Sequence, residues 1–169
     1  SFEAADYRQF PLIGSRILVW CLAQAHLMFA AFVLGVPIFV LIAEVIGVVL
    51  KNERYDGLAK EFTRLLAMSY TITATLRALL LVALVALYPR FVAHMEKVFD
   101  PTWGFYVAVI FCEALFAYLY WYSWDVLQGP RKGWHLFIGV IVNLLGIVIL
   151  AITNAWTGYM MTPGGIEGT

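Results

Sequence analysis

Residues 22–45 read "LAQAHLMFAAFVLGVPIFVLIAEV". The stretch is long enough to cross a hydrocarbon core of about 30 Å, which takes about 20 apolar residues as a helix. Its only ionisable residues are His26 and Glu44. An ionisable side chain at mid-span costs about 2.5–3.5 kcal/mol on insertion scales. His26 therefore needs a reason to be there. Pro37, two residues after Gly35, cannot donate a backbone hydrogen bond, and a kink is expected at that point.

The rest of the chain has the same character. Its 169 residues are 63% hydrophobic and 13% charged, with mean hydropathy +0.84. Soluble domains run nearer 45–50% apolar and about 25% charged, so the composition is that of an integral membrane protein. The formal net charge is zero, which gives no ground for a nucleic-acid partner. The sequence contains no Walker loop, dinucleotide fingerprint, C-x-x-C-H haem-attachment motif or H-E-x-x-H zinc motif. Cys21 and Cys112 both lie in apolar segments and are expected to be buried free thiols rather than a disulfide. No cleavable signal peptide is evident, so the first span is expected to act as the insertion signal.

Four stretches qualify as spans: from after Arg16 to Leu50, about Leu65 to Leu87, about Trp103 to Leu127, and about Trp134 to Met160. Backbone polarity in lipid allows only helices or closed barrels, and strand-like alternation is absent. Short connections then predict an all-α, up-down four-helix transmembrane bundle. The expected division is an extramembrane segment over 1–16, the bundle over 17–160 and a tail over 161–169. Lys51, Arg54, Lys60, Arg64, Arg131 and Lys132 outnumber the Arg8, Arg16, Arg90 and Lys97 of the opposite face. The bias places the first set in the cytoplasm and both termini outside. Trp103, Tyr106, Trp156 and Tyr159 would form an outer aromatic belt, with Trp134 at the inner end of the fourth span.

Three ionisable residues fall near mid-span. His26 lies ten residues in from Arg16, Arg77 twelve before Pro89, and Glu113 ten in from Trp103. At 1.5 Å per residue each sits roughly 15–18 Å from the same face. Arg77 and Glu113 could form a structural ion pair. His26 could be a core histidine hydrogen-bonded to a neighbouring helix, or an axial haem ligand, a role that suits an imidazole facing an apolar cavity. Gly35 and the alanines at 23, 25, 30 and 31 could admit a flat macrocycle, or equally let helices pack closely. Glu113 could handle protons, its pKa raised by desolvation unless Arg77 holds it ionised. Glu44 is eighteen residues beyond His26, about 27 Å along a regular helix, which places it near the inner surface. His135 is expected at the start of the fourth helix, and His94 in a solvated outer loop. The aromatic run 118–125 reads as interfacial packing rather than a quinone platform.

These residues resemble the large subunit of the cytochrome bd quinol oxidases. His26, Gly35 and Glu44 repeat the nine-and-nine spacing of that family's first membrane helix. "CEALFAYLYWYSWDVL", residues 112–127, is similar to its glutamate-led aromatic third helix. Asn154, Trp156 and Pro163 match a motif of its fourth in type, with a longer spacing to the proline. The resemblance spans roughly residues 16–165. It implies a membrane haem protein that oxidises quinol and reduces oxygen near the outer face. By that resemblance His26 is an axial ligand to haem iron and Glu113 stands on the proton route.

The sequence also departs from the family. Phe105 replaces a second glutamate, and Arg77 stands where small residues are usual. The family's low-spin haem ligands and quinol-binding loop belong to later helices. The reading is thus a bd-oxidase-like subunit of an electron-transfer complex in a bacterial-type inner membrane. It would bind one haem, b- or d-type, through His26 with Arg77 beside it, and link quinol oxidation to partner membrane subunits. A quinone is the second candidate cofactor. The alternative is a cofactor-free structural subunit that scaffolds a larger redox complex. Catalysis by these residues alone is not expected.

Overall fold

A computed structural model describes residues 7–161. Four long helices account for most of it: α1 (Ser15–Leu50), α2 (Glu53–Leu87), α3 (Pro89–Tyr122) and α4 (Lys132–Met161), with a short 3-10 turn, Gly129–Arg131, before α4. All four are long and apolar enough to cross a membrane, in agreement with the all-α reading. Of the expected terminal segments, residues 1–6 and 162–169 lie outside the described residues.

The helices are longer than the apolar spans. α2 begins at Glu53, twelve residues before the hydrophobic run, because Asn52 caps it by accepting from the Arg54 N–H at 3.0 Å. Glu53 and Asp56 then place negative charge in the first turn, where the helix dipole favours it. α3 begins at Pro89, a residue suited to a first helical position, and runs without a break through Pro101. The outer loop expected to hold His94 is therefore helix, and His94 is exposed on it.

The chain forms two compact units, Ser1–Asp100 and Pro101–Thr169. In the first, α1 and α2 form an antiparallel hairpin with a two-residue turn. Lys51 adopts the left-handed conformation, φ 51°, and the Asn52 N–H closes back on the Gly47 carbonyl at 3.0 Å. Gly47 allows close approach here, since a Cβ at that position would lie 3.0 Å from the Asp56 nitrogen. Phe39 meets Phe62 edge-on at 4.9 Å. At the far end the Arg8 N–H donates to Leu87 at 2.8 Å, and Tyr7 stacks on Tyr88 at 5.6 Å. Ser15 is buried and accepts from the Phe10 N–H at 2.7 Å while donating to the Arg8 carbonyl. The segment before α1 is thus strapped to the end of α2.

In the second unit, Trp103, Tyr106 and Trp156 cluster. Trp103 and Trp156 stack at 5.6 Å, Tyr106 lies 4.5 Å from Trp156, and the Trp156 indole donates to Thr102 at 3.2 Å. Three of the four expected belt aromatics therefore meet. Cys21 and Cys112 are free but exposed, contrary to the expected burial: each occupies an outward face of its helix, where apolar surroundings in a membrane do not require packed protein.

Candidate functional site

The face of α1 decides which residues can act together. His26, Val33, Pro37, Val40, Glu44 and Gly47 recur at intervals of three, four and seven, one stripe of a 3.6-residue helix. His26 is half-buried, and the other five are buried. Gly35 is nine residues from His26, half a turn out of phase, and is exposed with open space around it. It therefore cannot admit a macrocycle to the His26 face. Its spacing marks the sequence pattern without building the site.

On α2, Thr73 and Arg77 lie one turn apart and both reach His26. The histidine ring hydrogen-bonds to the Thr73 backbone and faces the Arg77 charge. Its Nδ1 is buried without a hydrogen-bond partner. A buried imidazole nitrogen without a protein partner is a position that a metal could take. The half-buried Arg77 guanidinium supplies five donors suited to a carboxylate. Depth counting puts His26, Arg77 and Glu113 at one level, and within the α1–α2 hairpin His26 and Arg77 lie close enough to interact. Among the described residues no group of three or more His, Cys, Asp or Glu could hold a metal ion. A lone imidazole beside a guanidinium is a donor set that a haem, with its own ring ligands, could use.

Glu113 is buried on α3, 4% exposed, in the second unit. Glu44 is 0% exposed. It lies near the α1–α2 turn, and its burial there comes from what packs across the helix.

His135, near the start of α4 as expected, is also fully buried. Its Nε2 lies 2.9 Å from the Tyr120 carbonyl oxygen, and its ring stacks on Tyr120 and meets Trp124 edge-on, both at 4.5 Å. The Lys132 ammonium sits over Trp124, 4.2 Å from the ring centroid. The run 118–125 thus supplies packing around a histidine, and the signal for it was the buried i, i+4 pair Tyr120 and Trp124. In the same helix Asn143 donates to Gly139 at 2.9 Å.

Four membrane-length helices, with an imidazole beside a guanidinium inside the first hairpin, define a helical integral membrane protein. The profile of the family "Cytochrome bd terminal oxidase subunit I" matches residues 15–169, and the chain belongs to that family. A Bacillus subtilis (strain 168) protein, provisionally named as subunit I of a cytochrome bd menaquinol oxidase, is 25% identical over 156 residues, covering 92% of this chain and 34% of the relative. The solved bd oxidase from Geobacillus thermodenitrificans matches with a TM-score of 0.80 at 25% identity, covering 90% of this chain and 35% of that one. The chain therefore spans about a third of the length of the relatives it matches.

Proposed function

We propose that this chain is a haem-bearing membrane part of a bd-type electron-transfer complex, in which His26 gives the axial imidazole. The observation that carries this is the His26 ring, near Thr73 and Arg77 of α2, with Nδ1 buried and without a hydrogen-bond partner. Arg77 would hold an anionic edge of the cofactor, such as a propionate. Bound haem would supply one-electron chemistry. The chain's own residues orient the imidazole and surround it with apolar helix. Glu113, buried on α3, is the proposed proton-handling carboxylate. Quinol as electron donor and further membrane subunits as partners follow from the relatives' names and the family. The positive-residue bias supports an inner-membrane setting with the α1–α2 turn in the cytoplasm.

The test is the absorption spectrum of the purified membrane complex carrying His26→Ala, with the haem-to-protein ratio. Loss of one haem band in a folded complex supports ligation. An unchanged spectrum removes haem from His26 and leaves a cofactor-free structural subunit as the better description.

A further inference from the structure

The haem reading makes no use of the segment before α1. Residues 10–13 read Phe-Pro-Leu-Ile, an apolar run that precedes the helix. Leu12 is fully exposed, and its neighbours Phe10 and Ile13 are exposed as well. Leu12 also takes φ 77°, a left-handed conformation that glycine or asparagine adopts more readily than leucine. The turn is nonetheless tied down. The Ile13 N–H donates to the Pro11 carbonyl and the Gly14 N–H to the Phe10 carbonyl, both at 3.1 Å. The buried Ser15 hydroxyl closes the base by accepting from the Phe10 N–H and donating to the Arg8 carbonyl. A strained turn, fixed at its base, thus holds an apolar side chain away from the rest of the chain.

The level of the turn decides what surrounds it. The Arg8 N–H donates to the Leu87 carbonyl at 2.8 Å, and Tyr7 stacks on Tyr88. Leu87 ends the apolar run of α2, with Tyr-Pro-Arg after it, so the base of the turn sits at the edge of the hydrocarbon layer. Exposed Ile17 and Trp20 continue the apolar surface along the first turns of α1, and tryptophan is enriched at that boundary. Arg8 and Arg16 flank the turn in sequence and are exposed, which puts positive charge at the depth of lipid phosphates. Apolar tips beside tryptophan and arginine are the makeup of a segment that lies in a membrane interface. We infer that residues 10–13 form an interfacial anchor. Leu12 and Ile13 enter the acyl boundary of the leaflet at the N-terminal end of α1, and Arg8 and Arg16 face its phosphates. The partner is the lipid surface. The anchor stands whether or not His26 carries a haem.

The test uses the full chain in lipid nanodiscs, carrying Cys21→Ala and Cys112→Ala. A spin label on Leu12→Cys is relaxed by oxygen, which partitions into acyl chains, and by a water-soluble nickel chelate. The references are labels on Leu79→Cys, exposed inside the apolar run of α2, and on Lys97→Cys, exposed on the polar stretch of α3. The oxygen-to-nickel ratio at position 12 should be several-fold above that at 97 and approach that at 79. A ratio equal to that at 97 overturns the anchor in favour of water. Loss of relaxation by both agents overturns it in favour of a protein partner. Leu12→Asn gives a readout without a label, since asparagine keeps the left-handed backbone but not the apolar side chain. Deuterium exchange at the Arg8 and Phe10 amides should then quicken several-fold. Unchanged or slower exchange shows that the turn needs no lipid contact, and also overturns the proposal.

Discussion

His135 donates from Nε2 to the Tyr120 carbonyl at 2.9 Å, two residues before α3 ends at Tyr122. The last carbonyls of a helix have no intrahelical donor, and a side chain from the next helix supplies one here. Replacement by phenylalanine keeps a ring against Tyr120 and Trp124 but leaves the carbonyl facing an apolar surface. His135→Phe should lower stability by about 1–3 kcal/mol, the cost of an unsatisfied buried acceptor. Denaturant titration of the chain in detergent measures it, and a change below a few tenths would show that the ring alone matters.

Two glycines of α1 should behave in opposite ways. A Cβ on Gly47 meets the Asp56 nitrogen at 3.0 Å, whereas one on Gly35 meets nothing within 4 Å. Gly47→Ala should destabilise the hairpin by about 1–3 kcal/mol through overpacking. Gly35→Ala should be neutral or slightly stabilising, because alanine is the better helix former. The same titration compares them.

Arg77→Gln removes the charge beside His26 while keeping length. If the guanidinium holds an anionic edge of a haem, the haem-to-protein ratio of the purified complex should fall several-fold, with the His26 ligand still in place. Full retention of haem would assign Arg77 to helix packing. A double-mutant cycle of Arg77→Gln with Glu113→Gln, read in stability, separates coupled from independent roles.

Glu113→Gln removes a titrating group from a buried position of α3. Haem content should be unchanged while the proton-coupled rate of the complex falls at least tenfold. Stopped-flow reduction beside steady-state turnover distinguishes these, and equal rates in both would exclude Glu113 from proton handling.

The four spans were legible because hydropathy is a direct report on the solvent a helix must face. The helix ends were less so. The stretch at 53–64 is helical through the Asn52 cap and first-turn charge, and that at 89–102 begins with Pro89 at a first helical position, signals that hydropathy averages away. Counting residues from the membrane edge put His26 and Arg77 at one level with Glu113, since depth along a regular helix is arithmetic, and the hairpin brings the first two close. The same count put Glu44 toward the turn end of α1 without giving its burial. Depth gives position along an axis, whereas burial depends on which stripe a residue occupies and what packs across it. Phase would have found it, because Glu44 shares the His26 line and Gly35 does not. His135 was placed at the right level, but its partners come from α3 and no spacing in its own segment points to them.

The α1–α2 hairpin is pinned at one end by the turn at Gly47 and Asp56, and at the other by the strap that joins Arg8 to Leu87 and Tyr7 to Tyr88. Two apolar helices with only one fixed end can slide past each other by a turn at little cost, because lipid and leucine are equivalent neighbours. With both ends fixed, a slide must break the turn and the strap together. The strap therefore acts as a registration pin: it lets a ligand set divided between two greasy rods be aligned when the hairpin closes.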